Sequence, residues 1–310
     1  MLVQHRSLTQ TVPVIRHIHD IHAECRAARK PAVSVEFFPP KTDEGDRKLL
    51  QETLPALLAG RPHYCSVTYG AGGSTRDKTL GLVERIQNEF DLTALMHLTC
   101  VHATRAELVA VIENARARGV RNILALRGDP PAGTSEWVKT EGGLEYSHQL
   151  VELIRELGGF TIGTAGFPEG HIAQSAGKWV DWGYLAEKVK SGAHFIVTQL
   201  FFDNEDYFRF RDYLSSKLGI DVPIVPGLLP VVSASQTRKF TQLCGARLPE
   251  TFLARLDALG TDDAAVIEFG IDYCARQAAE LVAGGAPGVH FYTLNKAYST
   301  VAVLRQLGWS

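Results

Sequence analysis

Glu36 stands between Val35 and Phe37 in a run, Ala32–Phe38, whose residue types make a buried strand. An ionised carboxylate there is costly unless it is paired or its pKa rises. The side chain is therefore either a structural anion, salt-bridged to Arg127 or a lysine, or a working group with a raised pKa. Asp129 ends Arg127-Gly128-Asp129 ahead of Pro130-Pro131, a stretch that also reads as a tight turn closed by an Asp side chain. Gln199 carries a donor and an acceptor on one amide, suited to an amide-rich heterocycle or equally to loop backbone. Gly70 to Gly73 could cradle an anion through backbone amides or simply shape a loop. His171, after Pro168-Glu169-Gly170, also fits a solvated loop. His97, Cys100 and His102 carry ligand-type side chains, but an extended strand and its exit do not converge as zinc ligands do, so no metal is expected.

These residues fall at the ends of short apolar runs. Eight strands are predicted, at Ala32–Phe38, Tyr64–Thr68, Ala94–Thr99, Asn122–Leu126, Thr161–Ala165, Phe195–Leu200, Ile224–Pro226 and Gly288–Tyr292. Helical patterns at Glu44–Leu58, Asp77–Glu89, Arg105–Arg118, Tyr146–Leu157, Tyr184–Ser191, Glu205–Leu218, Gln236–Cys244 and Lys296–Leu307 separate and follow them, with two more between Pro249 and Ala283. Thr104 and Glu107 form a capping pair, and Gly60, Gly119 and Gly192 sit where left-handed helix caps suit glycine. Strands alternating with helices demand right-handed crossovers and a parallel sheet. Eight units in about 250 residues fit a closed barrel, whose chemistry gathers at the C-terminal strand ends. The expectation is an α/β fold, a (β/α)8 TIM barrel in one domain with extra helices: residues 1–30 a helical N-terminal extension, 31–310 the barrel.

A formal charge of -2, with no Lys/Arg run, gives no footprint for nucleic acid or a membrane surface, so ligands must be recognised locally. No apolar run approaches the roughly 20 residues that span a bilayer, and residues 1–29 lack the pattern of a signal peptide, so a cytoplasmic enzyme is expected. Five widely spaced cysteines without a Cys-x-x-Cys pair read as reduced packing residues. A homo-oligomer is left open.

Taken together, Val35-Glu36-Phe37-Phe38-Pro39-Pro40, Ser66-Val67-Thr68-Tyr69-Gly70-Ala71, His97-Leu98-Thr99-Cys100, Leu126-Arg127-Gly128-Asp129, Thr198-Gln199-Leu200-Phe201-Phe202 and His290-Phe291-Tyr292-Thr293-Leu294-Asn295 resemble the methylenetetrahydrofolate reductase family, in order from Pro31 to Gly308. The resemblance implies a flavin enzyme of the short bacterial type that takes hydride from NADH or NADPH onto FAD and passes it to 5,10-methylenetetrahydrofolate. The folate ring must open to an iminium cation, so an acid must protonate the departing nitrogen. Glu36 resembles that acid, with its apolar flanks raising its pKa. Asp129 resembles the carboxylate beside flavin and pterin that makes reduced flavin a stronger donor. By the same resemblance Thr68, Tyr69, Ala71, His97, Arg127, Gly128, Asp129, Tyr146, His171, Asp181 and Lys188 contact the flavin. Gln199, Asp129, Thr68 and Lys296 contact the substrates. Phe167, Ile172-Ala173, Tyr184 and Ala234 depart from the family pattern. The competing class is a non-redox folate-dependent lyase or methyltransferase barrel, which would hold no flavin.

Overall fold

The computed structural model describes residues 15–69, 76–129 and 138–309. Its strands are β1 (Ala32–Phe37), β2 (Tyr64–Val67), β3 (Ala94–Thr99), β4 (Asn122–Leu126), β5 (Thr161–Gly166), β6 (Phe195–Leu200), β7 (Ile224–Leu228) and β8 (Gly288–Tyr292). They close into a barrel in chain order, all parallel, with β8 returning to β1 so that Tyr292 lies opposite Glu36. Around them lie α1 (Ile18–Ala27), α2 (Asp43–Lys48), α3 (Leu54–Leu58), α4 (Arg76–Phe90), α5 (Arg105–Ala117), α6 (Ser147–Leu157), α7 (Lys178–Lys190), α8 (Asn204–Leu218), α9 (Ala234–Cys244), α10 (Glu250–Leu259), α11 (Asp263–Ala283) and α12 (Ala297–Gln306). The expected single-domain (β/α)8 barrel is the fold observed.

Strand alternation sorts the side chains into layers. Val33, Val35 and Phe37 of β1, with their counterparts Met96, Ile123, Ile162, Ile196 and Phe291, face the helices in the main core. Tyr64, Leu95, Leu124, Phe195 and Val225 fill the lower barrel together with Ile18, Ile21 and Cys25 of α1, so this helix plugs the N-terminal end. Ile18 N–H donates to Asn122 Oδ1 at 2.8 Å, which satisfies one donor of the helix start. A third cluster sits at the opposite end: Leu200, Leu229, Val231, Phe252, Leu256 and Val266, with Phe240, Tyr273 and Tyr292 against them. Helices α9 to α11 thus roof part of the C-terminal face, where the site residues gather.

Where boundaries differ from expectation, the cause is visible. β7 runs past Pro226 to Leu228. Val225 pairs with Val197 but Gly227 pairs with Leu200, so β6 carries one extra residue, and Pro226, which has no N–H to give, lies opposite that bulge. Helix α7 begins at Lys178, not Tyr184, and passes through Gly183 because Trp182, fully buried, anchors its first turns and donates Nε1–H to Phe167 O at 2.9 Å. The helical run after β1 contains a π-helical turn, Leu49–Thr53, between α2 and α3. Thr104 and Glu107 form the expected capping box. Gly119 and Gly192 take positive φ. Gly60 does not: a Cβ there would meet Leu304 Cδ1 at 2.6 Å, and Arg61 adopts the left-handed conformation instead.

Candidate active site

β1 carries Ser34 and Glu36 on its inner face, and Glu36 is only 6 % exposed. Ser66 Oγ–H donates to Glu36 Oε2 at 3.1 Å, and His290 Nε2 and His97 Nε2 each stand 3.5 Å from the same oxygen. His290 Nδ1 in turn meets Ser34 Oγ at 2.8 Å. Three neighbouring strands, β8, β1 and β2, with β3 beyond, therefore converge polar groups on one carboxylate. The expected partners, Arg127 or a lysine, are replaced by Ser66, His97 and His290.

The expected rise of the Glu36 pKa is also corrected. Burial pushes it up, but the hydrogen bond from His290, the electrostatic influence of His97 and His290 and the bond from Ser66 together hold it below the ordinary carboxylate value. The valine and phenylalanine flanks that suggested a rise point into the helix layer and do not line the carboxylate's surroundings. His97 is itself driven down to about 4 by burial, against the pull of Glu36, so its imidazole is neutral near pH 7.

The backbone around Glu36 is tied down from β8. Thr293 Oγ1–H donates to Glu36 O, and the Asn295 amide clasps Phe38 by accepting its N–H at 2.9 Å and donating to its carbonyl at 2.8 Å. Leu294 and Asn295 both hold positive φ to make this turn. Thr53, on the π-helical turn, donates to Asn295 O at 3.4 Å.

On the neighbouring side, Arg127, Gly128 and Asp129 leave β4. Val101 N–H and Cys100 Sγ–H both donate to Arg127 O, at 3.1 and 3.4 Å. Gly128 has φ +89°, and a Cβ there would meet Val101 Cγ1 at 2.6 Å, so this turn admits glycine alone without strain. The Arg127 guanidinium lies 5.5 Å from the centre of the exposed Tyr146 ring. His171, after β5, is lowered first by burial, then feels the charges of Asp181, Asp129, Lys188 and Arg127. Its N–H donates to Asp181 Oδ2 at 3.2 Å. Lys188 donates to Ala165 O at 3.0 Å and is lowered to about 8 by burial, with Asp181 opposing. Burial raises Asp181 itself.

Gln199 sits at the β6 bulge, where its Oε1 accepts the Leu200 N–H at 2.8 Å. The same irregularity is repaired by Thr198, whose Oγ1 accepts the Gly227 N–H at 2.9 Å and whose carbonyl accepts the Tyr292 hydroxyl at 2.7 Å. One half of the Gln199 amide is thus a structural plug, as the alternative reading had it, and the NH2 half is left for other work. Thr68 is held at the lip by its N–H to Phe37 O, at 2.9 Å, and by Thr79 Oγ1 on its carbonyl, also at 2.9 Å. Tyr69 receives Arg76 Nε–H at 2.7 Å. Lys296 is an exposed residue at the start of α12. Ala71 and the glycines beside it lie outside the described residues.

Ser34, Ser66 and His290 were not singled out from sequence. The available signal was the two-residue period that puts Ser34, Glu36, Ser66, His97 and His290 on inner faces. The buried atoms His97 Nε2 and Thr99 Oγ1, both on β3, have no hydrogen-bond partner among the described residues. With the turn at Gly128, the cation of Lys188 and the exposed Tyr146 ring, they make a donor set that fits a large, polar-edged aromatic cofactor carrying phosphates.

A profile of the methylenetetrahydrofolate reductase family matches residues 20–308. The chain is 38 % identical over 276 residues to the 5,10-methylenetetrahydrofolate reductase of Escherichia coli, covering 89 % of this chain and 90 % of that one. It is 37 % identical over 287 residues to methylenetetrahydrofolate reductase (NADH) 1 of Arabidopsis thaliana, covering 89 % of this chain and 48 % of the plant protein. The chain spans about half the length of the plant relatives it matches. Among solved structures, an uncharacterised Clostridium thermocellum protein described as binding two copies of 5-methyl-5,6,7,8-tetrahydrofolic acid is similar at a TM-score of 0.65 and 13 % identity, covering 93 % of this chain and 99 % of that one. That likeness is one of fold.

Proposed function

The chain belongs to the methylenetetrahydrofolate reductase family, and from that premise we propose that it reduces 5,10-methylenetetrahydrofolate to 5-methyltetrahydrofolate with NADH or NADPH, using bound FAD. The observation that carries the reading is the buried Glu36 with its Ser66, His97 and His290 neighbours, at the strand ends of a barrel whose sequence matches the family from end to end. The similarity to the E. coli reductase over nine-tenths of its length supports the folate reaction, and the names of the plant relatives favour NADH.

FAD, when bound, supplies a group that accepts a hydride and later gives it up. Arg127, Gly128, Tyr146, His171, Asp181 and Lys188 would hold it, with Thr68, Tyr69, Ala71 and His97 on its other contacts. Asp129 places a negative charge that disfavours extra negative charge on the reduced ring. The free NH2 of Gln199 orients the folate, and Lys296 at the rim meets its far end. Glu36 carries the proton for the departing folate nitrogen. In the open barrel its three polar neighbours favour the carboxylate; a ligand that covers the mouth and excludes water strengthens the burial contribution and shifts Glu36 toward its protonated form.

The test is direct. Purified protein should be yellow, should bleach anaerobically on adding NADH, and should regain colour on adding methylenetetrahydrofolate. A colourless protein that turns over folate without added flavin overturns the reading and returns the non-redox class.

A further inference from the structure

Arg247 lies in the turn between α9 and α10, and the roof meets the strand-end loops there. Its backbone N–H is shared by both oxygens of Glu169, at 3.0 and 3.2 Å. Its Nη2 reaches Asp203 Oδ2 at 3.2 Å and Asp206 Oδ2 at 2.9 Å. Glu169 belongs to the loop after β5, two residues before His171, while Asp203 caps α8 after β6 by accepting the Glu205 N–H at 3.1 Å. A second contact runs alongside: a Cβ on Gly245, the residue that ends α9, would meet Ile172 Cβ at 3.1 Å, so the β5 loop is packed on the end of that helix.

Asp203 and Asp206 thus meet the guanidinium while Glu169 takes the backbone N–H, with Arg247 Nε 3.8 Å from its Oε1, and Arg209 Nη1 stands 3.3 Å from Asp206 Oδ1. The Asp206 and Glu169 side chains are 8 % and 17 % exposed while Arg247 is 56 % exposed, so the two carboxylates are sheltered and the cation that offsets them is screened by solvent. Truncating one partner of such a group leaves the others charged, mutually repelling and partly buried.

We propose that Arg247 is a positioning residue that ties the α9–α10 turn to the β5 and β6 loops, so that helix α9 and the His171 loop move as one body over the strand ends. The ligands beneath this face rest on the proposed function; the coupling itself does not. The junction also responds to pH. Burial pushes the Glu169 carboxyl up to about 7, against its hydrogen bond from Arg247, and it is faced by Arg247, Asp206, Asp203 and the Cys244 thiol. A carboxyl raised on folding binds its proton more tightly folded than unfolded. Glu169 therefore contributes stability that is fully present below the ordinary carboxylate value and is lost as pH rises from there through about 7.

Hydrogen exchange on the full chain, with and without FAD, tests the coupling. Arg247→Ala keeps the backbone N–H to Glu169 but strips the counter-charge from Glu169, Asp203 and Asp206, and should speed amide exchange about ten- to a hundredfold in segments 167–172 and 233–249 together, while β1 and β8 stay protected. FAD should dissociate faster in the same variant, increasingly so as pH rises. Adding Asp206→Asn should recover part of the loss by removing repulsion, a rescue that lost packing alone would not give. Should Arg247→Ala fail to fold, Arg247→Gln, which keeps the stem and removes the charge, should speed the same two segments. Faster exchange in one segment alone, or in neither, overturns the coupling. Absence of FAD binding in the unaltered chain would sink the proposed function and leave the exchange result to stand by itself.

Discussion

At Glu36 the reaction divides. Glu36→Gln keeps the shape and removes the proton, so the folate half-reaction should slow about 10²–10⁴-fold while flavin reduction by nicotinamide changes little. Stopped-flow measurement of each half decides it, since equal losses would make Glu36 a structural group. The partners of Glu36 give a second test, with a definite sign. His290 lowers the Glu36 pKa, so His290→Phe should raise it and keep the acid protonated to higher pH. The alkaline limb of the folate half-reaction should then move upward, and an unmoved or lowered limb contradicts the assignment. Sequence exposed the carboxylate because a Glu between Val and Phe is conspicuous. It did not expose the direction of the pKa shift, because Ser66, His97 and His290 reach Glu36 from three other strands, and barrel closure is what brings His290 of β8 beside it.

Elements were legible where a local rule operates and illegible where two distant segments decide together. The capping box at Thr104 and Glu107 is local, and it is present as read. The β6 bulge is not: it answers a proline 28 positions away on β7, between the register pairs Val197–Val225 and Leu200–Gly227. Gly60 was expected as a left-handed cap and is instead the residue that lets Leu304 of α12 approach. Helix α1 shows the same dependence, since its buried residues pack on strand positions from Tyr64 to Val225. Ile21 is 1 % exposed in that cluster, and Ile21→Ala should cost about 2–5 kcal/mol in chemical unfolding. FAD affinity should be retained, because the plug and the site occupy opposite ends of the barrel. A loss of FAD affinity matching the loss of stability would mean that the plug shapes the site.

Over the whole molecule, a ligand that binds only the folded barrel must raise its melting temperature. FAD at a hundred times its dissociation constant should add about 2.7 kcal/mol, on the order of 5 °C, with no shift for an equal concentration of adenosine at the same weak-binding level. No shift with FAD would remove it as a resident cofactor. The barrel as a whole was legible because eight alternating units leave few other topologies; the roof of α9 to α11 was seen as helices but not as a cover, since its packing on Leu200, Leu229 and Tyr292 has no local signature. The plug at the other end has a consequence in time. Helix α1 leaves the ribosome before any of the eight strands, yet the wall it seals is incomplete until Phe195 and Val225 have been made. At about 5–20 residues per second, the stretch of roughly 210 residues from Ile18 to Val225 takes on the order of 10–40 s to synthesise. Throughout that interval Ile18, Ile21 and Cys25 are an oily face without its lock, and β1 is an open edge awaiting β8. A helix made ahead of every strand is thus among the last elements to find its lock.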